Sequence, residues 1–166
     1  MASGRSGRGG FRLHGHGRRN VALRGARHVA LGEEGVERDE DWQYLAKVGC
    51  DVAQIAKSII FRNAADGTSV LVITSGANRV DEKKVTALTG ITLAKADANF
   101  VREQTGYAIG GVPPIAHARP GTIVMDEDLF RFATVFPAGG TPHAMFEVAT
   151  EELGRLSGAR VGAVRV

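Results

Sequence analysis

The sequence predicts an α+β fold, built as a single domain around a mixed, mostly antiparallel sheet. Its 166 residues are the length of one domain. A hydrophobic content of 43% with 23% charged residues is typical of a globular protein that buries an apolar core. Short apolar segments recur along the chain, interrupted by single short helical patterns. Because strands and helices do not alternate regularly, a parallel, doubly wound sheet is not expected.

Charge divides the chain into two parts. Residues 1–28 contain seven arginines, seven glycines and no acidic residue, which leaves 14 basic and 18 acidic residues in the remainder. We therefore expect a basic extension over residues 1–38, poorly ordered or atypical, and one acidic domain over residues 39–166. Two interpretations of the extension remain open: a flexible segment that buries too little apolar area to fold, or an arm that binds nucleic-acid phosphates.

Composition and motif content exclude several kinds of protein. With one cysteine, Cys50, the chain cannot form an intrachain disulfide, which favours a cytoplasmic location. No apolar run is long enough for a transmembrane helix. His14, His16 and His28 lack a second pair of ligands at a useful spacing, so no metal site is predicted. The glycine-rich phosphate-loop patterns are also missing.

Hydrophobic spacing and capping residues define the elements in chain order. Helices are expected at 39–48, 81–88, 97–104 and 150–156, and strands at 53–61, 69–74, 91–93, 122–125, 133–136, 144–148 and 160–166. Asp81 or a neighbouring residue is the expected N-cap of one helix and Thr150 that of another, and Gly90 and Gly106 are expected to follow helix ends. A cluster of turn residues at 63–68 joins two of the strands into a hairpin.

Lys57 stands in the middle of an apolar strand. Alternate side chains of a strand share a face, so Lys57 lies between Ile55 and Ile59 on one face, while Ala56 and Ser58 point to the other. Two interpretations are open. The lysine stem covers apolar surface or guards a sheet edge, or the ammonium sits at a pocket mouth to hold an anion or a polarised oxygen.

Two glycine pairs are candidates for contact with a ligand. Residues 106–117 are too rich in glycine and proline for a regular element and too apolar for a solvated loop. Gly110 and Gly111 lie in this segment, and Gly139 and Gly140 form a second turn. Glycine lets the main chain approach a ligand closely, and exposed amides can bind a developing oxyanion. Two ordinary tight turns remain the alternative.

A side-chain nucleophile is not expected. Cys50 has no electropositive neighbour in sequence that would lower its pKa, so it is interpreted as a small buried residue. His117 and His143 lie beside the glycine-containing segments, and each is either a ligand contact or a structural histidine.

Three separated segments carry a resemblance to a known family. Residues 52–61 (VAQIAKSIIF), 106–117 (GYAIGGVPPIAH) and 138–143 (AGGTPH) resemble the YbaK/ProX family of free-standing aminoacyl-tRNA deacylases, which is related to the editing domain of bacterial prolyl-tRNA synthetases. The resemblance covers about residues 40–166, in the order of the family. Residues 1–38 do not resemble the helix and strand with which family members begin.

The resemblance implies a function and a set of site residues. It implies a domain whose sheet curves around a pocket, and hydrolysis of the ester between a wrong, small amino acid and the terminal adenosine of a tRNA, usually that for proline. In this family water or a group of the substrate attacks, so no cofactor is expected. The catalytic residues implied are Lys57, Gly110, Gly111 and Gly140. The substrate-binding residues implied are Ser58, Ser75, Tyr107, Pro113, Ile115, Gly139, Thr141 and His143.

Partners and specificity follow from the same resemblance. The implied partners are the acceptor end of an aminoacyl-tRNA and prolyl-tRNA synthetase, with no membrane. A pocket excludes a larger side chain more effectively than it prefers a smaller one, and its expected walls are Ile73, Ile115, Ala116, Phe136 and Met145. Two alternatives remain: a non-catalytic protein that binds a small ligand or the tRNA end, and a family member left inactive by its altered N-terminus.

Overall fold

The structure is a computed structural model that describes residues 11–13, 21–23, 25–30, 49–142 and 144–166. Within these residues the strands are β1 Phe11–Leu13, β2 Val21–Leu23, β3 Arg27–Ala30, β4 Ile55–Asn63, β5 Ser69–Ser75, β6 Leu93–Lys95, β7 Thr122–Asp126, β8 Thr134–Pro137, β9 Ala144–Ala149 and β10 Arg160–Gly162. The helices are α1 Glu82–Thr89, α2 Ala98–Thr105 and α3 Thr150–Ser157, with 3-10 turns at Val52–Gln54 and Glu127–Arg131. The predicted helix 39–48 lies outside the described residues.

An eight-stranded mixed sheet forms the centre of the fold. Its strand order is β10-β7-β5-β4-β8-β9-β3, and β6 pairs with β4 beside this path. The pairs β10–β7, β7–β5 and β4–β8 are parallel, and the other pairs of this sheet are antiparallel. β1 and β2 form a separate two-stranded sheet. The predicted α+β class, the mixed sheet and the hairpin of β4 with β5 are confirmed.

Both faces of the sheet are covered by apolar side chains. On one face, Ile73 packs with Phe146 of β9 and Leu153 of α3 in a cluster of buried residues. On the other face, Val72 packs with Val85 of α1 in a second cluster. Every residue of β5 is buried, because this strand lies between β7 and β4 and is covered on both sides.

Local capping chemistry sets the ends of α1 and α2 as predicted. The Asp81 carboxylate accepts from the N–H groups of Lys83 and Lys84, and α1 ends at Gly90 in a left-handed conformation with φ of 75°. Asp97 caps α2 in the same way, and Gly106 ends it with φ of 84°. The residue types at these helix ends were predictable because each cap bonds to residues that are neighbours in sequence.

Four sequence predictions need correction. Thr150 does not cap α3: it is the first helical residue, and its hydroxyl donates to the carbonyl of Phe132 at 2.6 Å. Residues 52–54 form a 3-10 turn that Asp51 caps, so the strand predicted at 53 begins at Ile55. The strand predicted at 91–93 lies at Leu93–Lys95, opposite the end of β4. The last strand stops at Gly162, since it pairs with β7 only over residues 160–162.

The sheet also includes residues from the N-terminal side of position 38. β3 pairs with β9 in antiparallel register, and the Arg27 guanidinium lies 2.6 Å from the Glu147 carboxylate. The predicted extension over residues 1–38 therefore contributes one strand to the sheet of the predicted domain.

Candidate functional site

One edge of β4 is paired at both ends and open in the middle. β5 pairs with residues 56–62 on one edge. On the other edge, β8 pairs with Ile55 and Ala56, and β6 pairs with residues 61–63. Within the part of the chain that the structure describes, no strand pairs with residues 57–60 on this second edge. At about 3.3 Å per residue this opening, called here the β4 gap, is about 13 Å long.

The main-chain groups of Ser58 and Ile60 point into the β4 gap. The N–H of Asn63 donates to the hairpin turn that leads into β5, whereas the N–H of Ala64 donates to the segment that leads into β6. Main-chain groups of successive strand residues point to alternate edges. Even-numbered residues of β4 therefore present their N–H and C=O groups to the edge that holds the gap, where no described strand pairs with Ser58 or Ile60.

The hydroxyl of Ser58 lies beside this opening. Its Oγ atom is buried and has no hydrogen-bond partner in the structure. An unpaired buried hydroxyl is costly, and such groups in native proteins call for an explanation such as a ligand. Ser58 was predicted to bind substrate, and its position next to the β4 gap is compatible with that role.

Lys57 is half-buried beside a groove on one face of the sheet. Its Nζ atom donates to the main-chain carbonyl of Asn78 at 3.2 Å. Ile59 follows it on the same face, and Thr74 is its direct partner on β5. The groove has a volume of about 260 Å³ and is lined by Lys57, Ile59, Thr74, Asn78, Arg79 and Val80. The ammonium is therefore held in place at a cavity wall, among the apolar neighbours that the alternation predicted.

The two glycine loops meet each other. A Cβ atom added to Gly111 would lie 2.7 Å from Cα of Thr141 and 3.0 Å from the nitrogen of Pro142. Gly140, with φ of 102°, lies against the ring of Tyr107, since a Cβ atom there would be 3.3 Å from Cε1. The segment 106–111 and the turn 139–142 thus form one close-packed unit. The absence of side chains at the glycines is what permits this approach.

Lys57 and the glycine loops approach the β4 gap from opposite faces of the sheet. Ile60, on the face opposite Lys57, packs against Tyr107 and Val112 of the first loop. The register of β8 places Pro137 beside Ala56, so the main chain of the second loop begins beside the strand position that precedes Lys57. The Lys57 ammonium is directed toward the turn after β5, while the cluster that contains Tyr107 and Val112 packs on the opposite face of β4.

Two of the expected oxyanion donors are already used. The N–H of Gly111 donates to the carbonyl of Ala108 at 3.1 Å, and the N–H of Gly139 donates to the carbonyl of Ala144 at 2.7 Å. Gly111 is buried, whereas Gly110 is exposed and has φ of 92°. These two amides therefore bond within the loops, and the predicted roles of the glycines toward a substrate remain predictions.

Other predicted substrate residues make contacts within the protein. The Ser75 hydroxyl donates to the carbonyl of Ala53 at 2.7 Å. Nε2 of His117 lies 2.7 Å from the Pro113 carbonyl, and burial lowers the pKa of this histidine. Because a carbonyl only accepts, Nε2 carries the proton in the neutral ring. His143 lies outside the described residues.

The expected pocket walls fall into the core. Ile73 and Ile115 belong to the large buried cluster, and Ala116 packs against it. Met145 and Phe136 are 7% and 2% exposed. Ala116 has φ of 64°, a left-handed conformation that is strained for a residue with a side chain. The role of these residues as pocket walls remains a prediction.

Cys50 is a poor nucleophile. Burial, followed by the nearby carboxylates of Asp51 and Glu147, raises its pKa to about 12. A thiol is reactive only as the thiolate, so Cys50 stays protonated near neutral pH. In the described ranges, no three metal-ligating side chains group together, and no helix has the length and hydrophobicity of a membrane span.

Sequence reasoning missed two residues of this region, Asn78 and Asp126. Asn78 supplies the carbonyl that holds Lys57, and Asp126 is a fully buried carboxylate that holds the Asn78 side chain. The proximity of Asn78 to Lys57 depends on the register of β4 and β5. A carboxylate at the end of the apolar strand 122–125 was the available signal for Asp126.

The fold defines an α+β protein with a mixed sheet that is interrupted along one edge of β4. Residues 42–156 match the aminoacyl-tRNA editing domain family, and the chain belongs to this family. The uncharacterized protein YwhH of Bacillus subtilis (strain 168) is 36% identical over 119 residues, which cover 72% of this chain and 75% of that protein. The family predicted from the three segments is thereby confirmed.

Solved structures agree with this assignment. A crystal structure described as that of "a putative trans-editing enzyme for prolyl tRNA synthetase" is 40% identical, with a TM-score of 0.77 over 85% of this chain and 87% of that chain. The crystal structure of hypothetical protein APE2540 is 29% identical, with a TM-score of 0.74 over 86% of this chain and 93% of that chain.

Proposed function

We propose that this protein is a trans-editing deacylase that hydrolyses the ester of a mischarged aminoacyl-tRNA carrying a small amino acid, with the tRNA for proline as the preferred substrate. The β4 gap carries this proposal. The main-chain groups of Ser58 and Ile60 and the Ser58 hydroxyl, which has no hydrogen-bond partner, support it at the gap, and the Lys57 ammonium supports it from the adjoining groove. Membership of the editing-domain family supports the same reaction. The protein would then act where tRNA is charged, in the cytoplasm.

The proposed reaction depends on positioning and electrostatics. The ester lies in the β4 gap, with the amides of Ser58 and Ile60 available to donate to the oxygen that becomes negative as water or a group of the substrate attacks. The ammonium of Lys57, on the groove side, attracts the terminal nucleotide or the ester oxygens. Cys50, with its raised pKa, takes no part in this scheme.

Selectivity is proposed to come from exclusion. One methylene group changes binding in an apolar pocket by only about 1–3 kcal/mol. The close-packed glycine loops can instead reject a side chain that does not fit beneath them. Tyr107, which packs against Gly140, and Ile115 in the core cluster are the proposed boundaries of this space.

Deacylation of a panel of mischarged prolyl-tRNAs tests the proposal. The purified full chain, at catalytic concentration, should release a small amino acid and leave prolyl-tRNA intact. Lys57→Met keeps the apolar stem of the residue and removes the charge, and it should lower the rate at least about 100-fold if the ammonium seats the ester. Lys95→Met, at an exposed lysine of β6, is the matched control and should leave the rate unchanged.

The same experiment addresses the alternative function. A non-catalytic binder would retain the ester while it bound the charged tRNA saturably. Retention of every ester in the panel, or an unchanged rate in Lys57→Met, would contradict the proposed chemistry.

A further inference from the structure

Asp126 is a buried carboxylate, and its hydrogen-bond donors within the described residues are all uncharged groups. It is 0% exposed at the end of β7. Its Oδ2 atom accepts from the Thr74 hydroxyl at 3.1 Å, from the Ser75 N–H at 3.1 Å and from the Asn78 side-chain amide at 2.8 Å. Its Oδ1 atom accepts from the Asp128 N–H at 3.0 Å. Burying a carboxylate is costly unless its hydrogen bonds are satisfied, and aspartate is seldom fully buried without a partner.

Asn78 connects this carboxylate to Lys57. Its side-chain amide donates to Asp126 at 2.8 Å and to Asp128 at 2.9 Å, while its own N–H donates to the Ser75 carbonyl at 2.9 Å. Its main-chain carbonyl accepts from Nζ of Lys57 at 3.2 Å. Hydrogen bonds from its side-chain amide and from its main-chain N–H thus fix Asn78 in place. Its main-chain carbonyl is the oxygen to which the Lys57 ammonium donates.

We propose that Asp126 is a positioning residue that acts through Asn78 to hold the Lys57 ammonium at the wall of its groove. This inference deepens the proposed function and rests on it. Asp126 does not contact Lys57 directly. Its negative charge is placed where three donors around residues 74–78 converge, so it orders the turn whose carbonyl the lysine needs.

The first test measures the position of Lys57 without any turnover. The full chain is labelled with limiting acetic anhydride, and the acetylation of Lys57 relative to exposed Lys95 is read by mass spectrometry. Asp126→Asn removes the negative charge and replaces one of the two accepting oxygens with an NH2 donor, which faces donors already present there. It should raise this ratio about threefold to tenfold, as expected for the loss of one hydrogen bond. If Asp126→Asn fails to fold, Asn78→Ala breaks the same link from the other side and should raise the ratio equally.

A stability control separates positioning from general damage. Leu153→Val destabilises α3 through a fully buried leucine that lies outside this network. It should lower the melting temperature without changing the labelling ratio. An unchanged ratio in folded Asp126→Asn, or an equal rise in Leu153→Val, would overturn the inference.

The second test uses deacylation in a double-mutant cycle. Asp126→Asn should lower kcat about 10- to 100-fold with KM little changed, because a displaced positioning group affects the reacting geometry. In a Lys57→Met background it should have no further effect, since its action passes through that lysine. Independent, multiplicative losses would overturn the inference. Failure of the wild-type protein to deacylate any tRNA would contradict the proposed function, while the labelling result would still decide the role of Asp126.

Discussion

Lys57 illustrates how a single residue depends on its surroundings. The strand gives it apolar neighbours on its own face, and the main-chain carbonyl of Asn78 gives its ammonium a fixed partner. An exposed lysine populates many rotamers, whereas the Lys57 side chain lines a groove and its ammonium is hydrogen-bonded. Binding a substrate group there costs less conformational entropy than ordering a free lysine would.

His117 predicts a dependence of stability on pH. Burial lowers its pKa in the folded state below the unfolded value of 6.5, although the hydrogen bond to Pro113 opposes this effect. The unfolded chain therefore takes up a proton first as the pH falls. The stability from the neutral ring is complete above pH 6.5 and is lost as the pH falls from there through the folded-state pKa.

Thermal unfolding between pH 8 and pH 5 measures this effect. His117→Gln keeps an N–H donor but does not titrate, so its melting temperature should fall less over the same range. The remaining histidines are common to both proteins and cancel in the comparison. Parallel pH profiles would show that His117 is not the responsible group.

At the scale of elements, the close contact of the two glycine loops determines the shape of the site. The turn 139–142 can reach Gly111 only because that residue has no side chain. Gly110 and Gly140 add positive φ values of 92° and 102°, which favour glycine at each bend. The loops are therefore coupled, and a change in one should displace the other.

Gly111→Ala tests this coupling. The added Cβ would lie 2.7 Å and 2.8 Å from main-chain atoms of Thr141, which cannot move as a flexible side chain would. Unfolding free energy should fall by about 1–3 kcal/mol, and deacylation should fall with it.

Gly158→Ala, at the end of α3, provides the comparison. Nothing lies within 4 Å of its added Cβ, but its φ is 62°, so it should lose about 1 kcal/mol through backbone strain alone. Its deacylation rate should remain that of the wild type. Equal rates in the two variants would mean that the loops do not need their close contact.

At the scale of the whole molecule, charge is distributed unevenly. Seven arginines lie in residues 1–28, while the rest of the chain has more acidic than basic residues. A tRNA ligand needs its phosphates neutralised, and each such contact adds about 0.7–0.9 to the salt slope of binding. The arginine-rich segment is the natural source of these contacts.

Replacement of Arg5, Arg8, Arg18 and Arg19 by glutamine tests this arm. Substitution is preferable to deletion of residues 1–28, because Arg27 and His28 belong to β3. Binding of tRNA should weaken, and the slope of log K against log salt should flatten by up to about three. Arg155→Gln, at a residue paired with Glu152, serves as the control. An unchanged slope in the fourfold variant would exclude these arginines from tRNA binding.

Predictions from the sequence agree with the structure where the interacting residues are neighbours in the chain, and fail where the residues are far apart. The ends of α1 and α2 were predictable because Asp81 and Asp97 bond to amides two or three residues away. Thr150 was predicted wrongly because its hydroxyl bonds to Phe132, a residue 18 positions earlier that the fold brings near. The hydrogen bonds that the amides of Gly111 and Gly139 make within the loops also depend on the fold, and the predicted roles of these glycines toward a substrate remain predictions.

The sequence by itself determined the fold class, the apolar row around Lys57, the glycine segments and the family. These features depend on residue types at short spacing, which the chain order records directly. Only the tertiary structure decided that β8 and β6 leave residues 57–60 open, that Gly111 meets Thr141, and that Asp126 holds Asn78 beside Lys57. These contacts join residues far apart in the chain, and their geometry is fixed by strand pairing and register, which local spacing does not encode.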